Sequence, residues 1–430
     1  MRRSEASAIV VGAGLSGLAA ASALQRGGLQ VRVVEARDRV GGRIWTSRAW
    51  PDLPIDLGAS WIHGVDSNPV TELAEQAGAR YVRTRYGSSL WFGRDGRRLE
   101  VDGDLAESED MLERIRAEID DAASDLSLAQ AVRGSQLWAR SDASRRAMLR
   151  KWINTAVEHE YAADWEHISA WYFDEDGDDL PGGDALFPEG FDQIVGPLAE
   201  GLSIRTGDAV RRIARTTDGA TVHLADGSAL SADHVVVTVP LGVLQSGGIE
   251  FSEPLADERQ RAIGTLRAGL LNKCCLRFDR VAWPSESDWL QWLGPREGFW
   301  VEWVDLAHCA GLPVLMGFNA GAQAGEVERL DDRDTVASAH EALVAMFGSD
   351  FPAPRDGLVT RWGHDRHALG SYSYNAVGTQ PDTRKELAGT DWDGVLAFAG
   401  EAASNHDFGS AHGAIHSGRE VARQLLKGYT

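Results

Sequence analysis

The N-terminal segment of the chain carries the feature that most constrains its fold: an apolar strand, a glycine-rich turn and a helix follow one another directly. Residues 9–11 form a short apolar run, and the pattern GxGxxG occupies residues 12–17. Residues 15–26 have the periodicity of an amphipathic helix, and a second apolar run, 31–34, ends in Glu35. This succession predicts the first strand, helix and second strand of a doubly wound α/β fold that binds a dinucleotide.

Each glycine of this turn meets a physical requirement. Gly12 permits the tight turn, Gly14 lets the backbone approach a pyrophosphate, and Gly17 allows the helix to pack closely on the strand. The phosphates then lie at the helix N-terminus, and Glu35 accepts hydrogen bonds from a ribose. A glycine-rich turn of another α/β fold is the alternative, and it leaves Glu35 unexplained. The predicted cofactor-binding residues of this loop are Gly12, Ala13, Gly14, Leu15, Ser16 and Gly17.

Composition and charge argue against several classes of function. The chain has 430 residues, with 43 Lys and Arg against 64 Asp and Glu, so its formal net charge is −21. This charge repels a phosphate backbone and attracts polycationic small molecules. Apolar stretches stay shorter than the roughly 18 residues of a membrane span, and the three cysteines lack metal-site or disulfide spacing. We therefore expect no nucleic acid, membrane or metal as a partner.

The first residues allow a second interpretation. Arg2 and Arg3 precede an apolar stretch, as they would in a twin-arginine or secretory signal. The glycines of residues 12–17 interrupt that stretch, however, and favour a strand, a turn and a helix over a cleaved signal. Since the three cysteines also fit a reducing compartment, we expect the protein in the cytoplasm.

The residues after Glu35 indicate which dinucleotide is bound. Residues 35–43 contain Arg37, a second glycine pair that ends in Gly42, and Arg43. A nicotinamide enzyme does not need this second backbone approach, whereas a flavin enzyme uses it to hold the extended phosphates and ribityl chain of FAD. From here on the chain resembles the flavin-containing amine oxidase family along nearly its whole length. Within that family it looks most similar to the polyamine oxidases and their demethylase relatives.

The resemblance implies how residues 56–64 are used. They are similar to the family segment that runs along the flavin, where a Gly-Ala pair lets backbone amides approach the isoalloxazine. A histidine stands at the position of His63 in polyamine oxidases, near the substrate entrance. The alternative for His63 is a histidine with satisfied hydrogen bonds in a glycine-rich loop. The cofactor contacts implied here are Gly58, Ala59, Ser60 and Trp61, and Trp61 also faces the substrate.

Two charged residues each have two interpretations. Lys273 lies in a strand predicted within residues 269–278, where a lysine is costly unless it is paired, solvated or used. It is either a strand-edge lysine that reaches solvent or, as the resemblance implies, the residue that holds a water at flavin N5. Glu160 ends a region predicted to be helical, 104–160, which resembles the border of the substrate tunnel. It is either a partner of a substrate ammonium or a surface carboxylate.

The resemblance assigns further contacts in the second half of the chain. Trp362 packs on the flavin, Tyr372 forms one wall of the slot that guides the amine, and the backbone of Val210 contacts the adenine. Ser371 stands where monoamine oxidases carry the cysteine that bonds FAD, so we expect non-covalent FAD. Ser410 replaces a tyrosine of monoamine oxidases and plant polyamine oxidases, which leaves the slot half open and favours a long, flexible substrate.

The C-terminal segment completes the predicted cofactor site. Residues 395–399 predict a buried strand, and a helix follows from about residue 410 to residue 426. The N-terminus of this helix would stabilise the negative charge of reduced flavin. The resemblance places Glu401 at the ribityl or phosphate region. The C-terminal cofactor contacts that it implies are Gly400, Glu401, Ser410 and Ala411.

The predicted fold class is α/β, in which a Rossmann-like FAD-binding domain is interleaved with an α+β substrate domain in the amine-oxidase architecture. The interleaving of the matched segments implies that both domains are discontinuous. The predicted FAD-binding domain comprises residues 1–80, 185–250 and 390–430, and the predicted substrate-binding domain comprises residues 81–184 and 251–389.

The resemblance implies an FAD-dependent amine oxidase that acts on polyamines, with O2 as the electron acceptor. Lys273 and His63 are its candidate catalytic residues, and Tyr372, Ser410, Glu160 and Trp61 are its candidate substrate contacts. One alternative is an L-amino-acid or monoamine oxidase of the same fold. Amino-acid oxidases place an arginine where this chain has residues 60–63. Another alternative is a non-catalytic scaffold that binds FAD.

Overall fold

A computed structural model describes residues 6–119, 122–175 and 180–429 of the chain. Arg2 and Arg3, on which the interpretation as a signal sequence depends, lie outside the described residues. The described helices are α1 (Leu15–Arg26), α2 (Pro69–Ala77), α3 (Asp102–Ile119), α4 (Leu128–Gly134), α5 (Gln136–Arg140), α6 (Ala143–Ile153), α7 (Val195–Ala199), α8 (Leu241–Gln245), α9 (Asp257–Thr265), α10 (Leu306–Ala310), α11 (Gly321–Val327), α12 (Asp332–Phe347), α13 (Thr383–Leu387) and α14 (Ala411–Leu426).

The strands form several sheets of two to seven strands. They are β1 (Ser7–Val11), β2 (Gln30–Val34), β3 (Thr46–Ser47), β4 (Ile55–Asp56), β5 (Trp61–Ile62), β6 (Val82–Thr84), β7 (Ser89–Phe92), β8 (Arg98–Leu99), β9 (Asp184–Leu186), β10 (Ser203–Arg205), β11 (Val210–Thr216), β12 (Gly219–Leu224), β13 (Ala229–Ala232), β14 (His234–Val237), β15 (Glu250–Phe251), β16 (Arg267–Ala268), β17 (Leu271–Arg277), β18 (Trp289–Trp292), β19 (Glu302–Asp305), β20 (Val314–Ala320), β21 (Asp356–Val359), β22 (Ser373–Tyr374), β23 (Gly389–Asp391) and β24 (Leu396–Phe398).

The predicted dinucleotide loop follows β1 of a six-stranded sheet. It therefore lies at the edge of the sheet where the parallel strands have their carboxyl ends. Its order is β10-β2-β1-β14-β24-β23, and only the pair β23–β24 is antiparallel. Strands from distant parts of the chain meet in register, with Ile9 opposite Val235 and Val235 opposite Leu396. Because parallel strands end at the same edge, the loops after β1, β2, β14 and β24 converge there. The predicted α/β fold class is confirmed.

Both faces of this sheet are buried, which explains its nearly continuous apolar strands. Ala8 and Val10 pack with helices α1 and α14 on one face, whereas Ile9 and Val11 pack with the four-stranded sheet β13-β12-β11-β15 on the other. Successive strand side chains point to opposite faces, so a single apolar run serves two cores. Strands β11, β12 and β13 of the four-stranded sheet form two consecutive hairpins.

Helices α1 and α14 cross closely enough that glycine is required at their contact. A Cβ atom built on Gly418 of α14 would lie 2.1 Å from the carbonyl oxygen of Ser16 in α1. A Cβ on Gly17 would lie 2.0 Å from the carbonyl oxygen of Gly12. The third glycine of the GxGxxG pattern therefore has the close-packing role that the sequence predicts. The C-terminal helix is held directly against the dinucleotide loop.

The remaining elements include a helical layer, a seven-stranded sheet and three small sheets of two or three strands. Helices α3, α4 and α6 share an apolar core, and the π-helical segment Asn154–Glu158 follows α6 directly. The large sheet has the order β21-β17-β20-β19-β18-β7-β8, which puts β17 between two neighbours. The region predicted as helical between residues 104 and 160 is thus a set of shorter helices. In the described part of the chain, no helix combines the length and apolar character that crossing a membrane requires.

A glycine-to-alanine pair tests the α1–α14 contact. We expect Gly418→Ala to lower the melting temperature by several degrees, since overpacking a core costs about 1–3 kcal/mol. Gly264→Ala in α9 is the matched control, because its Cβ would meet no atom within 4 Å. That control should leave the melting temperature unchanged or raise it. Equal melting temperatures for the two variants in a thermal scan would show that α1 and α14 can accommodate a methyl group at their contact.

Candidate active site

One elongated cavity runs from the dinucleotide loop to the seven-stranded sheet and has a volume of about 1330 Å³. This volume exceeds the roughly 300–1,000 Å³ of ordinary ligand pockets, so it can hold an extended dinucleotide together with a second molecule. The predicted site residues on its wall are Gly12, Gly14, Leu15, Ser16, Glu35, Arg37, Gly42, Arg43, Gly58, Ala59, Ser60, Trp61, His63, Glu160, Val210, Lys273, Trp362, Tyr372, Gly400, Glu401, Ser410 and Ala411. Ala13 and Gly17 are buried and do not line it.

The dinucleotide loop fits a pyrophosphate. Helix α1 begins without a side-chain cap on its free amides, and Gly14 before it has an extended backbone. A Cβ on Gly14 would meet no atom within 4 Å, so the space in front of it belongs to the cavity. The buried hydroxyl of Ser16 has no hydrogen-bond partner in the described structure. A phosphate oxygen would accept hydrogen bonds from these groups.

Glu35 is held rigidly at the carboxyl end of β2. One carboxylate oxygen accepts a hydrogen bond from the amide of Ala13 at 2.7 Å, and the other accepts one from the amide of Arg37 at 2.8 Å. The Arg37 guanidinium forms two hydrogen bonds of 2.8 Å with Asp365. Val210, at the start of β11, borders the same end of the cavity. This arrangement suits the adenosine end of a dinucleotide.

Arg43, whose side chain is partly exposed, and the buried Glu401 form an ion pair with an N–O distance of 2.9 Å. Arg43 also donates to the carbonyl of Ser371, while Glu401 accepts from the hydroxyl of Ser373 and the amide of Gly409. Burial alone would raise the pKa of Glu401, but the Arg43 charge and the Ser373 hydroxyl hold it below its usual value. The pair joins distant parts of the chain at the middle of the cavity.

Lys273 is not a strand-edge lysine, because β17 is paired on both sides. Its side chain is 6% exposed, and its ammonium donates to the carbonyls of Gly58 at 2.6 Å and Asp56 at 3.1 Å and to the hydroxyl of Ser60 at 2.5 Å. Burial lowers its pKa to about 8. The alternative of a lysine that reaches bulk solvent is therefore wrong. The ammonium is fixed in the cavity wall.

The segment after β4 lies close to Arg43, and the predicted Gly-Ala pair lines the cavity there. A Cβ on Gly58 would lie 1.9 Å from the carbonyl oxygen of Arg43, so only glycine allows this approach. Trp362 donates from its indole nitrogen to the carbonyl of Leu57 at 3.2 Å, which holds its ring beside this segment. The residues that the resemblance assigns to the flavin are thus brought together around one space.

Aromatic rings border the other half of the cavity. Trp61 stacks on Trp289 with ring centroids 5.6 Å apart, and Phe318 lies within 6.3 Å of both. The Tyr372 hydroxyl donates to the carbonyl of His159 at 2.6 Å. Trp289 packs against the core around β4, β17 and β20 and also borders the cavity. Alternation along a short strand does not show which face borders a cavity.

Carboxylates share this half of the cavity with the aromatic rings. Glu160 is exposed toward it, Glu302 is almost completely buried, and Asp184 lies 3.5 Å from His63. Burial raises the pKa of Tyr372 well above its usual value, and the charges of Glu160 and Glu302 add to this effect. Sequence analysis missed Glu302. The available signal was a charged residue within the apolar run 300–304, the same signal that singled out Lys273.

Ser410 has a structural role in addition to its place on the wall. Its hydroxyl accepts from the amide of Gly413 at 2.9 Å and donates to the carbonyl of Asp407 at 2.7 Å. It therefore caps α14 and fixes the end of the helix that faces the cavity. Within residues 6–119, 122–175 and 180–429, no group of three or more His, Cys, Asp or Glu is arranged to hold a metal.

Comparison with known proteins agrees with this geometry. The sequence profile of the family described as flavin containing amine oxidoreductase matches residues 15–426. The chain belongs to this family. It therefore acts with a flavin on amines, and the dinucleotide loop identifies the flavin as FAD.

Two relatives and one solved structure match this chain over nearly its whole length. The chain is 36% identical to polyamine oxidase 4 of Oryza sativa subsp. japonica and 36% identical to polyamine oxidase 2 of Arabidopsis thaliana. Each match covers 98% of this chain and 88% of the relative. A solved putrescine oxidase variant superposes with a TM-score of 0.81 over 99% of this chain and 100% of its own, at 20% identity. The last comparison supports the fold alone.

The FAD of this family member should be released intact on denaturation. Ser371 offers a hydroxyl rather than a thiol, and that hydroxyl exchanges hydrogen bonds of 2.8 Å with the amide and carbonyl of Leu271. We expect acid or heat precipitation to leave all the flavin in the supernatant as FAD, measured by absorbance and chromatography. Proteolysis of the pellet provides the control, and flavin found on a peptide there would overturn the prediction.

Replacing Lys273 with Met tests the cost of its buried charge. The pKa of Lys273 falls from 10.5 to about 8 on burial, so between these pH values the unfolded chain binds more protons than the folded chain. The stability of the parent therefore rises with pH over this interval, whereas Lys273→Met lacks this contribution. We expect the difference in melting temperature to shift in favour of the parent between pH 8 and pH 10.5. A difference that is constant with pH would contradict the assignment.

Proposed function

We propose that this chain is an FAD-dependent oxidase of polyamines. One observation carries the proposal: the half of the cavity away from the dinucleotide loop is bordered by the carboxylates Glu160, Asp184 and Glu302 and by stacked aromatic rings. Carboxylates and ring faces both attract ammonium groups, and the net charge of −21 adds a favourable long-range field. The names of the most similar relatives support the same substrate class.

The shape of this half favours a long, flexible amine. Tyr372 and the stacked pair Trp61–Trp289 provide aromatic surface, while the small side chain of Ser410 leaves room on the remaining side. His63 and Asp184 are both partly exposed where Gly64 packs on Leu180. We assign them to the placement of the incoming amine. A linear chain with several nitrogens can place one nitrogen for oxidation and contact carboxylates with the others.

The residues of the chain bind and orient the amine, and bound FAD supplies the hydride acceptor and the reaction with O2. Lys273 borders the cavity, and its three N–H groups are donated to Asp56, Gly58 and Ser60. To hold a water at the flavin, as the resemblance to the family implies, the ammonium would exchange one of these hydrogen bonds for one to the water. The net reaction converts the amine to an imine and O2 to hydrogen peroxide. Hydrolysis of the imine gives an aldehyde and a shorter amine.

A second candidate is an amino-acid oxidase of the same fold. One observation favours it: Arg85 borders the cavity beside Tyr86 and offers a cation that could bind a substrate carboxylate. The backbone amide of Arg85 is anchored by Asp288 at 2.7 Å. A panel that contains both amines and amino acids separates the two candidates.

Substrate charge provides the first test. We expect spermine or spermidine to give a higher kcat/KM than benzylamine or any L-amino acid in a peroxide-release assay. Added salt should reduce this preference, because it screens the acidic field. A panel led by an amino acid would favour the second candidate. Flavin that no amine reduces under anaerobic conditions would favour a non-catalytic scaffold.

Lys273→Met provides the second test. We expect FAD to remain bound, since the dinucleotide loop and the Arg43–Glu401 pair are unchanged. Anaerobic flavin reduction, reoxidation by O2, or both should slow by tenfold or more, which corresponds to about 1.4 kcal/mol. Lys385→Met is the matched control, since Lys385 is exposed and pairs with Asp382 on the surface. Stopped-flow traces with the same rates in both variants would remove Lys273 from the chemistry.

A further inference from the structure

A buried arginine outside the cavity contacts two residues that line it. Arg384, in the short helix α13, is 3% exposed and does not line the cavity, whereas Ser373 and Phe408 do. Nη1 of Arg384 donates to the hydroxyl of Ser373 at 2.8 Å, and its Nε donates to the side-chain oxygen of Asn375 at 2.9 Å. Its Cζ lies 3.6 Å from the centroid of the Phe408 ring. A buried charge is costly unless its partners compensate for it, so these contacts indicate what Arg384 does.

The Ser373 hydroxyl connects Arg384 to Glu401. A guanidinium can only donate hydrogen bonds, so the oxygen of Ser373 accepts from Arg384 and its own hydrogen can be donated further. That hydrogen is donated to Oε2 of Glu401, which lies 2.7 Å from the hydroxyl oxygen. The three side chains therefore form a chain of hydrogen bonds with a single direction. It begins at a cation and ends at a carboxylate that borders the cavity.

Phe408 provides a second connection between the same two charged residues. It precedes Gly409, whose backbone amide donates to Oε2 of Glu401 at 3.0 Å. A cation at this distance is attracted to an aromatic ring, so Arg384 also holds the segment that presents the Gly409 amide. Nη1 of Arg384 donates as well to the carbonyl of Ala402 at 3.1 Å, directly after Glu401 in the chain. Arg384 thus contacts the neighbours of this carboxylate both in the chain and in space.

Two arginines compensate for the charge of Glu401. Its Oε1 accepts from Arg43, whereas the hydrogen bonds that depend on Arg384 reach Oε2. Burial raises the pKa of Glu401, but the Arg43 charge, the Ser373 hydroxyl and the Arg384 charge together hold the pKa below its usual value. The carboxylate is therefore ionised and fixed through both of its oxygens.

The orientation of Arg43 depends on this carboxylate. Nη1 of Arg43 donates to Glu401 and to the carbonyl of Ser371, each at 2.9 Å. The side chain of Arg43 is 26% exposed and borders the cavity, so the rest of its guanidinium can bind an anionic group there. If Glu401 were displaced or protonated, Arg43 would lose the partner that holds it in this orientation.

We infer that Arg384 is a positioning residue for the cofactor. Through the Ser373 hydroxyl and the Phe408 ring it fixes the Glu401 carboxylate, and Glu401 in turn directs Arg43 toward the cavity. Arg384 does not line the cavity, so it acts on FAD through these residues alone. The inference concerns how firmly FAD is held. It goes beyond the proposed function and does not depend on which amine is oxidised.

Two variants of Arg384 and one matched control separate this role from a contribution to folding. Arg384→Met keeps an unbranched apolar side chain against Phe408 but removes the charge and the donors, and Arg384→Lys keeps the charge. Arg259→Met is the control, because Arg259 is also 3% exposed, lies over Phe398 and forms a buried ion pair with Asp391. Neither Arg259 nor Asp391 lines the cavity. The Kd of FAD is measured by diluting the holoenzyme in steps and recording the fluorescence of released FAD.

We expect the Kd of FAD to rise by roughly tenfold in Arg384→Met, since hydrogen bonds to a charged group are lost. Arg384→Lys should recover part of this loss, and Arg259→Met should keep the Kd of the parent. Both methionine variants should lower the melting temperature, because each leaves a buried carboxylate without one of its cations. A lower melting temperature with an unchanged Kd in Arg384→Met is what a purely structural role predicts, and it overturns the inference.

A second background tests whether Arg384 acts through Glu401. In Glu401→Gln the carboxylate is absent, so adding Arg384→Met should change the Kd of FAD much less than it does in the parent. The same fold-change in both backgrounds overturns the inference, because Arg384 would then act on FAD by another route.

The pH dependence of FAD binding gives a further readout. Without the Arg384 charge, Arg43 remains as the cation that compensates Glu401 in the described structure, so the pKa of Glu401 rises relative to the parent. From α14 the side chain that reaches this turn is Ser417, which accepts from the amide of Gly400 at 3.1 Å and does not titrate. On acidification, FAD affinity should therefore decline at a higher pH in Arg384→Met than in the parent. Parallel profiles between pH 8 and pH 5 overturn the inference.

Discussion

The ion pair between Arg43 and Glu401 is the interaction on which the rest of the site depends. It lies in the cavity wall and is joined by hydrogen bonds to Ser371, Ser373 and Gly409. Arg43 is partly exposed, but Glu401 is buried, so removing Arg43 would leave a buried carboxylate without its ion-pair partner. The pair therefore fixes the relative positions of the second glycine pair, the segment before β22 and the start of α14.

A second constraint is that backbone segments approach each other closely around the cofactor half, which only glycine allows. Gly17 and Gly418 allow helices α1 and α14 to meet beside the dinucleotide loop, and Gly58 lets its strand segment lie against Arg43. These contacts leave no room for side chains on the protein side of the wall. Where a dinucleotide fits, the cavity is lined by backbone amides and small residues together with Glu35, Arg37 and the Arg43–Glu401 pair. The stacked rings of Trp61 and Trp289 border the other half.

The two buried charged residues of the large sheet, Lys273 and Glu302, have opposite surroundings. Lys273 is surrounded by carbonyl and hydroxyl oxygens, whereas Glu302 is surrounded by donors from His159, Gln291 and Tyr86. Each buried charge is thus satisfied by groups from other elements, as the cost of burial requires. The two charged groups lie on strands of the same sheet and border the same cavity. One side of that space faces the predicted flavin, and the other attracts ammonium groups.

Much of the fold could be predicted because its signals are local. The turn at residues 12–17, the helix after it and the acidic residue at the end of β2 were read directly from spacing and periodicity. Lys273 was also recognisable, since a lysine inside an apolar strand needs a reason to be there. The domain boundaries, in contrast, depend on long-range packing, and the predicted ones stay a prediction.

The sequence by itself determined the dinucleotide loop of this protein, because the strand, the glycines of the turn, the helix and Glu35 follow one another within 35 residues. Only the tertiary structure decided the substrate half. His159 and Glu302 are far apart in the chain, and Trp289 meets Trp61 only because β5 and β18 border the same cavity. No local sequence pattern predicts these contacts, because they form only when separate sheets pack against each other and bury their side chains.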